Sequence, residues 1–255
     1  MIVATDAIVL RSMKYGETSK IVTVYSRKYG KMKVIAKGAR SSRSKFGAAL
    51  EPMTHASLIV YRKEHRELHL LSKAEIVSPL LHLNSEGEKL ATGLAIVELV
   101  NMVMHDEEEN ASIYALLSES LEVANSATRH PLNVFLAFEL RLCALFGYNL
   151  DLGRCASCGK EIEAGEGGEP ASLQLATGSL LCADCRRRLN SGGVRVSNGV
   201  LRSLRYLQSA PLPTVPTLAL GREVQHEIVS LLSAYVQYHI EGVRTLKSLS
   251  LFTHT

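Results

Sequence analysis

An α+β chain of more than one domain is what this sequence predicts, and three observations predict it. Over residues 1–80 the apolar residues recur at every second position. From Leu80 onward they recur at about every 3.6 positions. Late in the chain, four cysteines fall in two C-x-x-C pairs between helical stretches. The 255 residues suffice for two or three small domains.

The first region reads as strands. Ala7-Ile8-Val9-Leu10 and Lys20-Ile21-Val22-Thr23-Val24-Tyr25 are rich in β-branched residues, with a turn at Tyr15-Gly16-Glu17 between them. Met32-Lys33-Val34-Ile35-Ala36-Lys37 alternates after the turn at Tyr29-Gly30, and a basic loop of small residues, 38–47, follows. His55-Ala56-Ser57-Leu58-Ile59-Val60-Tyr61 is a fourth strand, and the stretch from Leu68 through Val77 is a fifth. Five short strands without a long helix between them suit a small closed barrel, most often the five-stranded OB-fold. An SH3-like barrel, or an open sheet packed on the next domain, is the alternative.

The second region reads as helices. Leu90, Leu94, Val97, Val100 and Met104 make one stripe, ended by Asp106-Glu107-Glu108-Glu109, which reads as a solvated turn. Ile113, Leu116, Leu117, Leu121 and Val123 make a second stripe. Pro131 opens a third helix that runs through Phe135, Phe138, Leu142 and Phe146 to Gly147. Cys143 lies in that stripe and reads as a small buried side chain. Ser197 caps a helix bearing Val200, Leu201, Leu204 and Leu207, and a last helix runs from about Arg222 to near Leu246. The predicted domains are a barrel over 1–80, a helical domain over 81–150 and 192–255, and an inserted module over 151–191.

That module carries Cys155-Ala156-Ser157-Cys158 and Cys182-Ala183-Asp184-Cys185, with 23 residues between the pairs. Two such knuckles brought together give a tetrahedral sulfur site, the geometry of structural Zn²⁺. Gly159, Gly165, Gly167, Gly168 and Gly178 let the stretch fold back. Two redox dithiols or two disulfides are the alternatives; a redox pair needs a thioredoxin-like strand and helix around it, and neither shows. One Zn²⁺ held by Cys155, Cys158, Cys182 and Cys185 leaves no position for water, so the expected role is structural.

Charge divides the chain. Residues 1–80 are net +9, residues 81–150 net −7, and residues 151–255 net +2. Between Glu17 and Glu51 there is no acid, but there are nine cations, Lys20, Arg27, Lys28, Lys31, Lys33, Lys37, Arg40, Arg43 and Lys45. Alternation puts Lys31, Lys33 and Lys37 on one outer face, and the loop adds Arg40, Arg43 and Lys45. Such a face binds polyphosphate backbones by counterion release. Tyr25, Tyr29, Phe46 and Tyr61 are the candidates for stacking on bases. Arg186, Arg187, Arg188, Arg202 and Arg205 are a second possible basic surface, with a solvated helix end as the plain alternative. No enzyme is expected: P-loop, G-x-S-x-G and G-x-G-x-x-G motifs are missing, and His65-Arg66-Glu67 carries only the H-x-E half of a zinc deaminase signature. No apolar run approaches the roughly 20 residues needed to span a bilayer. With reduced thiols and no export signal at the start of the chain, a cytoplasmic location is expected, with no membrane partner.

Several pieces together resemble the RecO family of bacterial DNA repair and recombination mediator proteins. They are Tyr15-Gly16-Glu17-Thr18-Ser19, Ala36-Lys37-Gly38-Ala39-Arg40, Leu50-Glu51-Pro52, the last barrel strand from Leu68 through Glu75, and Phe138-Glu139-Leu140 with Leu145-Phe146-Gly147-Tyr148. The two cysteine pairs match the zinc-bearing members. Asn149 stands where many members have proline, and Leu249 where arginine often follows the serine. The resemblance implies an OB-fold, a helical domain and a zinc module. It also implies binding to single- and double-stranded DNA, annealing of complementary strands, and recombinase loading onto DNA coated by single-strand binding protein. The implied partners are the mediator RecR and the acidic C-terminal tail of single-strand binding protein. For that tail, Arg141 is the candidate anchor, with intramolecular pairing as its alternative. The competing classes are an RNA-binding or ribosome-associated zinc-ribbon protein and a zinc-dependent nucleic-acid enzyme.

Overall fold

The computed structural model describes residues 1–63, 66–78, 80–83, 87–165 and 168–252; His65 and Gly167 lie outside them. The chain divides into two compact units, Met1–Ala127 joined by the segment from Leu246 onward, and Thr128–Thr245. This division cuts across the helical segment 81–150 expected from the sequence, and each unit is described by itself.

In the first unit, β1 (Ile2–Tyr15), β2 (Ser19–Ser26), β3 (Gly30–Ala36), β4 (His55–Tyr61) and β5 (Leu68–Ser78) close a barrel in the order β1-β2-β3-β5-β4. Only β3 and β5 pair in parallel. This is the OB-fold. β1 is far longer than its apolar core Ala7-Ile8-Val9-Leu10 announces, because it serves both sheet edges. Ile2 to Ile8 pair with β4, and Ala7 to Tyr15 pair with β2. The register shifts between Val9 and Arg11, so Leu10 is the extra residue of a bulge that lets the strand bend round the barrel. Val9, Val24 and Met32 form one inward row across three strands. Ser12, Val22 and Val34 form the next, and Leu58, Val60 and Leu71 help fill the interior.

Two helices follow, α1 (Gly87–Val103) and α2 (Ala111–Ser126). α1 packs on β1. The Asn110 side chain accepts from the Ile113 N–H at 3.0 Å and so caps α2. The α1 side chain Glu98 accepts from the Lys247 and Ser248 N–H groups at 3.1 and 3.0 Å. It thereby caps the C-terminal 3₁₀ turn Lys247–Phe252.

In the second unit, α3 (Leu132–Leu145) packs against α5 (Asn198–Ser209) and α6 (Arg222–His239). Nearly every face of α3 is buried, including Phe135, Phe138 and Cys143. Burial pushes the Cys143 thiol up to about 12 and the Glu139 carboxyl up to about 8. Ser197 caps α5 by accepting from the Val200 N–H. The final helix stops at His239, short of the expected Leu246. Between α3 and α5 lies a small sheet in the order β6-β8-β7-β9, which no periodicity in the sequence announces. Its strands are β6 (Asp151–Cys155), β7 (Ala171–Gln174), β8 (Ser179–Leu181) and β9 (Val194–Val196), with α4 (Ala183–Arg188) after β8. Among the described residues, no helix is long and apolar enough to cross a membrane.

Candidate nucleic-acid interface and metal centre

The outer face of β3 is basic, as alternation requires, but the acidic run after α1 lies against part of it. The Glu107 N–H donates to the Lys31 carbonyl at 2.8 Å. Gly30 takes φ +61°, and a Cβ there would overlap the Glu108 backbone, so only glycine admits this approach. Asp106 pairs with Lys33 at 2.9 Å and lies 3.7 Å from Lys31. Glu107 pairs with Arg62 at 2.8 Å and meets the buried His69 at 3.4 Å. The acids stay exposed, as a solvated turn requires, but Asp106 and Glu107 also dock on barrel cations. Burial pushes the Asp106 carboxyl up, but the hydrogen bond and charge of Lys33, with Lys31 behind, outweigh it and hold it below the usual carboxylate value. Arg62 does the same for Glu107. The bond to Asp106 raises Lys33 in return.

The six barrel cations therefore have different uses. Lys31 is largely enclosed, and its ammonium donates to the carbonyls of Asn101 and Met104 at the end of α1, where a positive charge suits the helix dipole. Lys33 shares itself with Asp106 but stays 39% exposed. The Arg40 guanidinium donates to the Gly16 and Glu17 carbonyls at 3.1 and 3.0 Å and holds the β1–β2 turn against the basic loop. Lys37, Arg43 and Lys45 are exposed and make no ion pair among the described residues. Lys45 lies 5.3 Å from the Phe46 ring centroid.

Of the aromatic candidates, Tyr25 and Phe46 are buried and cannot stack on a base. Burial, with Glu108 nearby, pushes the Tyr25 hydroxyl up to about 12. Tyr29 is half-buried with Arg62 over its ring, and Tyr61 is exposed. Sequence reasoning missed Arg11, Met13 and Tyr15, which are exposed on the hairpin arm of β1. Their placement depends on the bulge, and no periodicity shows it.

The four cysteine sulfurs of the second unit all lie within 4.8 Å of one another, and Cys158 and Cys182 are 3.9 Å apart. Tetrahedral coordination with metal–sulfur bonds of about 2.3 Å sets sulfurs roughly 3.8 Å apart, so the donor set fits one ion. No disulfide links these thiols. Local folding explains the convergence. Cys155 ends β6, and Cys182 is the N-cap residue of α4, its sulfur accepting from the Cys185 N–H at 3.5 Å. The Cys182 N–H donates to the Cys155 sulfur at 3.4 Å. Burial pushes the Cys155 thiol up, but the N–H groups of Cys182, Cys158 and Ser157 outweigh it and hold it down at about 6.

The second arginine group is divided among different partners. Arg187 pairs with Glu169 at 2.9 Å and Asp184 at 2.6 Å. Arg188 donates to the Cys185 sulfur at 3.5 Å. Arg205 donates to the Leu152 and Ile162 carbonyls and ties α5 to the sheet. Arg186 is half-buried, while Arg187, Arg188 and Arg202 are exposed. Arg141 donates to the Ala210 carbonyl, the intramolecular course that the sequence left open.

Comparison with known proteins divides the chain at the end of the barrel. Residues 1–80 match the family model for the Recombination protein O N terminal, and residues 84–250 match that for the C terminal. A DNA repair protein RecO from Salinibacter ruber is 33% identical over 249 residues, 98% of this chain and 92% of that protein. The one from Chloroherpeton thalassium is 28% identical over 99% of this chain and 98% of its own length. The one from Symbiobacterium thermophilum is 31% identical over 95% and 93%. Matches that run from the first barrel strand to the C-terminal turn, in one order and without a missing part, make this chain a member of the RecO family of DNA repair proteins.

Proposed function

We propose that this chain is a non-enzymatic DNA-binding mediator of recombinational repair. It binds single- and double-stranded DNA through the barrel, anneals complementary strands, and assists recombinase loading onto DNA coated by single-strand binding protein. Its partners in this reading are the mediator RecR and the tail of single-strand binding protein. The observation that carries the reading is the set of exposed cations on the barrel, Lys33, Lys37, Arg43 and Lys45, of which only Lys33 faces an acid among the described residues. Phosphates displace counterions from such groups without reading sequence. Lys31 supports this face from within the fold, and Arg40, exposed beside it, holds the β1–β2 turn.

The ion in the cysteine site is Zn²⁺ in this reading, since four thiolates in a tetrahedron suit it. Cys155, Cys158, Cys182 and Cys185 would hold it and so tie β6 to the start of α4, and four sulfur ligands would leave no place for a reactive water. The chemistry left to the protein is binding and alignment of strands.

The test is the salt dependence of binding by the full chain. Replacing Lys33, Lys37, Arg43 and Lys45 by alanine should weaken DNA binding. It should also shallow the log–log salt slope by about one unit for each phosphate that no longer meets a cation. An unchanged slope would overturn the assignment. Equal affinity for an RNA strand of the same sequence would turn the reading towards RNA.

A further inference from the structure

The four sulfurs of the cysteine site are not equivalent. Cys155 and Cys185 are buried, Cys182 is half-buried and Cys158 is exposed. The Cys155 sulfur receives the N–H groups of Cys182, Cys158 and Ser157. Cys182 receives the Cys185 N–H at 3.5 Å, and Cys185 receives the Arg188 guanidinium at 3.5 Å. Among the described residues, no N–H donates to the Cys158 sulfur, which lies 3.9 Å from that of Cys182. The flanking Ser157 and Gly159 are exposed, and open space stands where a Cβ on Gly159 would project.

These differences decide which thiolate reacts. A hydrogen bond to a thiolate draws on the electron pair that would attack an electrophile, so the sulfur without one is the strongest nucleophile of the set. Access points to the same sulfur, since a solute reaches Cys158 and not the buried Cys155 or Cys185. Cys182 is the sulfur placed to react next. It stands on the other knuckle, half-buried, and a shift of roughly 2 Å brings it to bonding distance. Cys158 sits in an exposed turn and Cys182 at the first position of α4, so neither is clamped within a core.

Resting on the reading that this site holds Zn²⁺, we infer that Cys158 and Cys182 are a hydroperoxide-sensitive pair whose oxidation empties the metal site. The Cys158 thiolate attacks one oxygen of the hydroperoxide. An S–O bond forms, the O–O bond breaks, and the departing oxygen takes a proton and leaves as alcohol or water. The Cys182 thiolate then attacks the Cys158 sulfur. The S–S bond forms, the S–O bond breaks, and the hydroxide takes a second proton and leaves as water. Two thiolates have lost two electrons, and the hydroperoxide has gained them with two protons. Cys155 and Cys185 remain, and two thiolates do not complete a shell that took four. β6 then loses its tie to the start of α4.

The test uses the full chain loaded with zinc, and hydrogen peroxide as the probe. Peptide mapping without reduction should find a disulfide between Cys158 and Cys182. A chromogenic chelator should record zinc release in step with that disulfide. Dithiothreitol with added zinc should reverse both. A disulfide inside either knuckle in place of this one, or zinc retained in the oxidised chain, would overturn the proposal, and that arm needs no variant. Cys158→His keeps four donors, with an imidazole nitrogen in place of the sulfur. It should still take up zinc and should slow peroxide-driven release by about tenfold or more. Release at the wild-type rate would also overturn the proposal. A reduced wild-type chain that takes up no zinc would defeat the metal reading, and the pair with it.

Discussion

The barrel and the cysteine module are both small β structures, but different forces hold them. The barrel buries a continuous apolar cluster from Val3 to Ala74, with Val9, Val22, Val24, Val34, Leu58 and Val60 essentially inaccessible. Its strands run from 7 to 14 residues and close on themselves, so it has no free edge. The module's strands have 3 to 5 residues, and its sheet is open. Leu173, Leu180 and Val196 are buried there, but so few apolar groups do not offset the ordering of the intervening loops. An ion held by the four converging sulfurs would supply the remainder. Apolar alternation specifies one structure and ligand spacing the other, and each should fail under its own insult.

The largest expected effect tests the module. Chelation, or Cys155→Ser, should remove hydrogen-exchange protection from β6 through β9 while the barrel strands keep theirs. Zinc binding at structural sites contributes on the order of 10 kcal/mol to folding. Uniform loss across both structures, or none in either, would break the comparison. Next, Leu58→Ala should destabilise the barrel by about 3 kcal/mol through loss of burial and the cavity left behind. Denaturant unfolding would give the number, and metal content per chain should stay unchanged.

A pH series sharpens the picture of the second unit. Glu139 is fully buried in α3, and burial raises its carboxyl to about 8. The folded chain holds that proton between the ordinary carboxylate pKa and about 8, whereas the unfolded chain releases it. Stability from this group therefore falls as pH rises through that window. Glu139→Gln should cancel the fall, with a gain over wild type that is small near pH 5 and on the order of a few kcal/mol at pH 8. A gain that does not grow with pH would refute it.

The smallest effect belongs to the acidic segment on the barrel. Asp106→Asn should cost under about 1 kcal/mol, since its ion pairs are partly exposed. Its carboxyl sits below the usual value, so the contribution is present above the ordinary carboxylate pKa and is lost as pH falls through the lowered one. The same change should strengthen DNA binding a few-fold by releasing Lys33, as a titration at fixed salt would show. Weaker binding would mean that Asp106 positions Lys33 for phosphate and does not compete with it.

Much of this was legible in the residues. Alternation around Val22, Val34 and Leu58 marked the strands, and the helical stripes marked α1, α2, α3 and α5. The paired knuckles announced a sulfur site that the structure brings within 4.8 Å. The four-stranded sheet was not legible, because three to five residues do not establish a period. Nor was the docking of Asp106 and Glu107. Like charges in sequence look solvated until the fold brings Lys33 and Arg62 to them. Arg205 and Arg141 looked available for the same reason, since backbone carbonyls as partners leave no trace in sequence.

The bulge at Leu10 has a consequence for how the gene can change. In a regular strand, losing one residue inverts every side chain beyond the loss and is ruinous. Here the chain holds a spare. Deleting Leu10 would leave Val9 opposite Val24 and Arg11 opposite Thr23 in an unbroken ladder, with Met13 and Tyr15 still facing out. What would be lost is the burial of Leu10 and the bend that the bulge gives the strand. Removing Ser12 instead would shift the remaining arm by one step and turn Met13 and Tyr15 inward. Two deletions two codons apart would thus have opposite fates.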